Sequence, residues 1–185
     1  MPASGKSPAG VRSSYRNARV AVVRARWNDD ITKALENAAL ERAQVAHASV
    51  ERFEVAGSFE LAPAVAALAR TGRFDAVVPL GCLIRGETPH FEVLAHAIAH
   101  AIAELATTMP VAIPFGVLTC DNVAQARARA GGAEGNKGAE WMDAALELAA
   151  LRHAIAASSL RASRSAATAR SASTRTKRKA SPGRR

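Results

Sequence analysis

Aromatic residues are scarce, 4% of 185, so any core must be built mostly from Ala, Val, Leu and Ile. Long hydrophobic runs are missing as well, and none approaches the ~18 apolar residues of a membrane-spanning helix. The first 19 residues are basic and rich in Gly, Pro and Ser. No apolar stretch follows them, as a secretory signal requires. Cysteine is limited to Cys82 and Cys120, far apart and outside any Cys-x-x-Cys spacing. That pattern excludes a disulfide scaffold and makes a reducing cytoplasm the expected setting. No Gly-x-Gly-x-x-Gly occurs, and in Gly135-Asn136-Lys137-Gly138 the intervening Asn136 removes the adjacent Gly-Lys of a phosphate-binding Walker loop.

What the chain does have is a net charge of +9, and its location matters more than its size. Residues 158–185 carry nine Arg and Lys and no acid, and residues 1–19 carry four basic residues and no acid. The span 20–157 holds twelve basic against sixteen acidic residues. The excess therefore sits on the ends, and the middle gives no reason to be read as a nucleic-acid-binding domain. The composition of 158–185 is Ser, Thr, Ala, Arg and Lys with almost nothing bulky to bury, which predicts a disordered polybasic tail. Residues 1–17 read as a flexible head, leaving 18–157 as the folded domain.

Within that domain the hydrophobic pattern alternates between two periods. Ala18–Val23 is a short β-branched run. Asn28–Ala46 places Ile31, Leu35, Ala38, Ala39 and Ala43 at helical spacing, and Ser49–Val55 alternates as a strand. Phe59–Thr71 predicts a helix stopped by Gly72, Phe74–Gly81 a strand and Phe91–Thr107 a long helix. Val111–Leu118 predicts a strand, Asp121–Ala130 a helix capped by Asp121 or Asn122, and Lys137 to about Ala156 the last helix. Strands alternating with helices imply an α/β fold, a four-stranded parallel sheet with helices on both faces.

Open parallel sheets bind ligands beyond the carboxyl ends of their strands. Residues 24–28, 56–60, 81–90 and 115–119 converge on that rim. The densest segment runs from Gly81 to His90, Gly-Cys-Leu-Ile-Arg-Gly-Glu-Thr-Pro-His. A strand ends, a turn follows, and a helix starts near Thr88-Pro89 with Thr88 as its cap, so free backbone N–H groups form an anion site. His90 lies beside it, placed for proton transfer at neutral pH; a capped helix with an incidental histidine is the plainer alternative. In the Gly-rich stretch 127–138, Arg127 or Arg129 could meet a phosphate, or the stretch could be a solvated connector. Trp27 on the rim is either a stacking platform or a packing residue. Trp141, inside the last helix, reads as packing. Glu92, His96 and His100 share a helical face, which reads as a solvated or subunit-facing stripe rather than a metal site, since no further ligand accompanies them. Cys82 and Cys120 read as small buried hydrophobes.

Four stretches taken together resemble the lumazine synthase family: Gly57-Ser58-Phe59-Glu60-Leu61, Gly81 through Glu92, Pro114 through Asn122, and Arg129 through Glu140. The likeness covers residues 18–153 in order and spacing. It implies a flavodoxin-like three-layer sandwich and a transferase of riboflavin biosynthesis. The implied reaction condenses 5-amino-6-(D-ribitylamino)uracil with 3,4-dihydroxy-2-butanone 4-phosphate to 6,7-dimethyl-8-ribityllumazine, phosphate and water. The substrate's own amine is the nucleophile, so neither a nucleophilic side chain nor a cofactor or metal is implied.

The resemblance also implies roles. Trp27 stacks on the pyrimidinedione. Ser58, Phe59 and Glu60 border the ribityl chain, and Cys82, Leu83 and Ile84 line the ring pocket through backbone. Glu87 and Thr88 offer backbone N–H groups to the phosphate, and His90 transfers protons. Phe115 and Arg129 come from a neighbouring subunit, Arg129 to the phosphate; Lys137 lies near the same pocket, and Glu140 orients Arg129. A homo-oligomer with shared sites follows, with the pentamer as the active unit. The compact Gly-rich link between Arg129 and Lys137 looks like that of members closing an icosahedral capsid. Ala62 stands between Glu60-Leu61 and Pro63 where the family has Pro directly, and Trp27 replaces a commoner Phe. The tail lies outside the family pattern. A polyanion-binding role for it is the second expectation, either beside catalysis or in place of it. A flavin-binding module without turnover is the third.

Overall fold

The computed structural model describes residues 17–179. The expected flexible head, apart from Asn17, and the last six residues of the expected tail lie outside them. In chain order the elements are β1 (Arg19–Ala25), α1 (Asp29–Val45), β2 (Ser49–Val55), α2 (Leu61–Arg70), β3 (Ala76–Ile84) and α3 (His90–Thr108). They continue as β4 (Val117–Cys120), α4 (Val123–Arg129), β5 (Ala130–Gly132), β6 (Gly135–Asn136) and α5 (Lys137–Lys179). The described residues divide into two compact units, one ending at Ala150 and the other beginning at Leu151.

β1 to β4 form one parallel sheet in the order β2-β1-β3-β4. Period-two alternation assigns each strand residue to a face. Ala18, just before β1, and Val20 and Val22 on it join Ile31, Leu35, Ala39 and Ala43 of α1, Ala126 of α4, and Met142, Ala145, Leu146 and Ala149 of α5 in one apolar layer. Ala21, Val23 and Ala25 face the other way, onto Leu61, Val65 and Ala69 of α2 and Ile98 and Ile102 of α3. The result is the three-layer α/β sandwich with a four-stranded parallel sheet. Trp141 packs against the α1-side layer. Two glycines permit close backbone packing. A Cβ on Gly138 would lie 2.0 Å from the Leu35 carbonyl oxygen, and one on Gly116 would lie 1.8 Å from that of Pro79.

Beyond shifts of one or two residues at element ends, four features differ from the sequence pattern. β3 runs to Ile84, three residues past Gly81, because Cys82–Ile84 find partners on β4. The expected strand 111–118 is split. Ala112 exchanges hydrogen bonds with Asp75 and Val77, but Pro114 supplies no donor and the ladder resumes only at Val117. The Gly-rich stretch after α4 forms a small antiparallel hairpin, β5–β6. Asn136 fixes it by donating to the Ala34 carbonyl at 3.1 Å and accepting from the Gly138 N–H at 2.9 Å. Finally, α5 continues past Ala156, so the described part of the second unit, residues 151–179, is helical where disorder was expected from 158. Ala and Arg are strong helix formers, and no Gly or Pro occurs between Gly138 and Pro182.

Candidate functional site

The sheet has its switch point between β1 and β3. From β1 the chain passes to β2 on one side and β3 on the other. The β1–β3 register ends at Arg24 and Leu80, after which β3 pairs only with β4. The gap so opened is a cavity of about 430 Å³, lined from the carboxyl ends of β1, β2 and β3 and from the first turns of α3. This is where a doubly wound sheet places its ligand.

Three segments meet at one atom, the Cys82 carbonyl oxygen. It accepts from the Asn28 amide at 3.0 Å and from the Ser58 hydroxyl at 3.5 Å. Asn28 holds a left-handed backbone, φ 58° and ψ 47°, and stands at the N-cap position of α1. Asn tolerates that conformation better than most residues. Trp27, just before it, extends the β1–β2 ladder, its N–H donating to the Ala56 carbonyl at 3.1 Å. Trp27 is 71% exposed and forms one wall of the cavity. Phe59 is exposed on the same cavity, while Ser58 is buried. Glu60 occupies the N-cap position of α2, and one carboxylate oxygen accepts the Gly57 N–H at 2.9 Å, leaving the other oxygen for a ligand hydroxyl.

The third wall runs from β3 into α3. His90 is the first residue of α3 and lines the cavity with Gly86, Thr88, Phe91 and Leu94. Thr88 is not the cap that the sequence suggests: Pro89 occupies that position and no side chain caps the helix. Proline has no N–H to satisfy, and His90 and Phe91 begin the run of N–H groups that an α-helix leaves unpaired. Arg85 holds this loop in place. It pairs with Asp121 at 2.9 Å and with Glu92, and its guanidinium lies 4.5 Å from the centroid of the Phe91 ring. Hydrogen bonds to Asp121 and then Glu92 raise the Arg85 pKa. The Asp121 carboxyl is held below its usual range by Arg85 and then Gln125, and that of Glu92 by its own backbone N–H and then Arg85.

One chain therefore brings Trp27, Ser58, Phe59, Glu60, Cys82, Leu83, Ile84, Thr88 and His90 around one cavity. Glu87, Phe115, Arg129 and Lys137 do not line it. Phe115 is 41% exposed, on the loop before β4. Arg129, at the end of α4, donates to the Gln125 carbonyl at 3.1 Å. Lys137 pairs with Glu140 at 2.7 Å, where the resemblance implied Glu140 beside Arg129. Residue order placed Phe115 on the rim and left Arg129 and Lys137 in the Gly-rich stretch 127–138.

Cys82 and Cys120 sit in the core. Both are buried and free. Burial pushes the Cys82 thiol up to about 12, with Cys120 adding to the effect, and burial also raises Cys120. Among the described residues no three His, Cys, Asp or Glu side chains gather as a metal site. His96 and His100 are exposed, and Glu92 is engaged by Arg85. Two residues escaped the sequence reading. Asn28 could have been found from its position after the rim tryptophan. Arg24, nearly fully buried, stands at a core position of β1, where no pattern foretells a charge.

The family model described as 6,7-dimethyl-8-ribityllumazine synthase matches residues 17–153. The chain is 44% identical over 141 residues to the protein of that name from Anaeromyxobacter dehalogenans, covering 75% of this chain and 87% of the relative. It is 43% identical over the same length, with the same coverage, to that of Anaeromyxobacter sp. strain K.

Proposed function

The chain belongs to the 6,7-dimethyl-8-ribityllumazine synthase family, and we propose that the cavity at the β1/β3 switch point is where it performs that transferase reaction. The reaction joins 5-amino-6-(D-ribitylamino)uracil to 3,4-dihydroxy-2-butanone 4-phosphate and releases inorganic phosphate and water. The observation that carries the placement is the meeting of Trp27, Glu60 and His90 on one cavity. An aromatic face, a hydroxyl acceptor and a proton carrier are what a planar, polyhydroxylated, amine-bearing substrate requires.

The pyrimidinedione stacks on Trp27 and runs its polar edge along the backbone of Cys82, Leu83 and Ile84. The ribityl chain lies along Ser58, Phe59 and Glu60. The phosphate sits at the 86–88 turn, on the N–H groups of Glu87 and Thr88, where the start of α3 favours an anion. The substrate amine attacks the ketone and water leaves as the imine forms. Loss of phosphate, ring closure and a second dehydration follow, with His90 carrying protons between the reacting atoms. Holding two reactive molecules in register supplies much of the rate.

Phe115, Arg129 and Lys137 complete the pocket of a neighbouring copy. Their absence from the cavity of their own chain and the exposure of Trp27, Phe59 and Phe115 support this. The active unit is then a pentamer, and we assign the chain to the members whose pentamers close an icosahedral capsid. Two free buried cysteines support a cytoplasmic setting. The basic segment 158–185 binds polyanions beside catalysis, many weak contacts adding through avidity on a ring or shell. The functional test is to mix both substrates with the protein and follow the lumazine's visible absorbance and fluorescence together with free phosphate. Appearance of both supports the placement, and appearance of neither refutes it.

A further inference from the structure

Arg24 lies on β1 in the register of Val20 and Val22, on the side that packs against α1. Its side chain is 4% exposed. One guanidinium nitrogen reaches Asp29 at 2.6 Å and the Thr32 hydroxyl at 3.3 Å, and a second binds Glu54. Nε lies 3.3 Å from Glu36, itself buried, without hydrogen-bond geometry. Arg52 closes the cluster on Glu36 at 2.8 and 3.0 Å, and Lys33 pairs with Asp29 at 2.7 Å. Three cations face three carboxylates.

Stability alone does not account for such a cluster, since a buried ion pair is seldom worth more than well-packed apolar side chains. Its connections explain more. Asp29 follows Trp27 by two residues, and Glu54 precedes Ala56 by two. The Trp27 N–H in turn bonds the Ala56 carbonyl. Arg24 thus closes a loop of bonds behind the aromatic wall, tying the segment before and after Trp27 to the β2 turn that carries Ser58, Phe59 and Glu60. It does this without lining the cavity. Among the described residues, none of the cluster's hydrogen bonds or ion pairs reaches the 86–88 turn, where the phosphate is placed.

We propose that Arg24 is a positioning residue that fixes the Trp27 wall for the pyrimidine substrate and leaves the phosphate end of the pocket untouched. The proposal rests on the reading of Trp27 as the ring platform. Asp29 and Glu54 are bound by separate guanidinium nitrogens, a fork that the point charge of an ammonium does not reproduce.

The experiment compares the full-length wild type with Arg24→Met, Arg24→Lys and Glu54→Gln. It measures kcat, the KM of each substrate and equilibrium binding of the ribitylaminouracil alone. Glu54 is 45% exposed, so its variant keeps the strand intact should Arg24→Met fail to fold. The expected result is a ribitylaminouracil KM and Kd raised about 10-fold, below the ~100-fold that a 1 Å misplacement can cost. The butanone phosphate KM stays within about two-fold of wild type under the same logic. Parallel increases in both KM values, or wild-type binding by folded Arg24→Lys and Glu54→Gln, would overturn the proposal. Binding without turnover in the wild type would instead refute the family reaction in this cavity, while the change in Kd still judges Arg24.

Discussion

The Asn28 amide reaches across 54 positions of sequence to the Cys82 carbonyl, 3.0 Å away, and so joins the two strands between which the sheet divides. β1 and β3 part after Arg24 and Leu80, and a carbonyl that would otherwise face an open gap is satisfied by a side chain. The Ser58 hydroxyl, 3.5 Å from the same oxygen, brings the β2 turn to this junction.

Replacing Asn28 separates its two contributions. Asn28→Ala removes the shorter of the two hydrogen bonds to the Cys82 carbonyl and strains the backbone, while the Ser58 hydroxyl stays 3.5 Å away; the lost bond costs about 0.5–1.5 kcal/mol in stability. Asn28→Gly tolerates the φ of 58° and loses less. Both raise the KM of the pyrimidine. Urea unfolding and steady-state kinetics on the two variants check this; equal stability of the Ala and Gly forms would remove the backbone contribution.

His90→Ala slows turnover by about 10- to 100-fold without abolishing it, at the low end of general acid–base effects, because substrate alignment persists. Steady-state kcat is the measurement. A variant as fast as wild type would take His90 out of the mechanism.

Arg129→Ala acts on one substrate. It weakens the butanone phosphate by roughly 1.5–3 kcal/mol, the range for a hydrogen bond to a charged group, and leaves the ribitylaminouracil in place. Calorimetric titration of each substrate decides it, and an equal loss for both would make Arg129 structural.

Alkaline pH tests the buried thiol. The Cys82 pKa is raised by burial from 9.0 to about 12, so the folded state prefers the protonated form. Its contribution to stability is fully present below the unfolded pKa and is lost as pH rises through about 9 toward 12. Stability plotted against pH falls over that window, and Cys82→Ala flattens the fall. In the native protein at pH 8 a thiol reagent leaves Cys82 unmodified until unfolding; prompt modification would contradict the burial.

Truncation after Ala157 leaves turnover unchanged and removes retention on nucleic acid at low salt. The intact protein's retention falls steeply with salt and shows no base preference, because counterion release dominates it. Equal retention by both forms, or collapse of the assembly, would reject the tail's role.

Much of this was legible in the residues, for reasons that differ by element. The β-branched run at Val20–Val23 and the helical spacing of Ile31, Leu35 and Ala39 declared β1 and α1, since burial on one face leaves a period. Asn122 capped α4 as expected, accepting the Gln125 N–H at 2.9 Å. The last three residues of β3 were hidden because only pairing with β4 makes Cys82–Ile84 a strand. The β5–β6 hairpin was hidden because its Gly-rich sequence has no hydrophobic pattern, and Asn136 holds it by a hydrogen bond to Ala34, 102 positions away. Motif residues such as Trp27 and His90 were readable by position. Arg24 was not, because a charge in a core register is explained only by partners on two other elements.

The central claim is that each site is assembled from the cavity of one chain and Arg129 of the next. Co-assembly of His90→Ala with Arg129→Ala chains tests it most directly, with activity measured at limiting butanone phosphate. In a ring with random mixing, about one site in four pairs an intact cavity with an intact Arg129, and activity rises well above that of either variant alone. Activity equal to the average of the two variants at every mixing ratio would contradict the claim, because His90 and Arg129 would then serve within one chain.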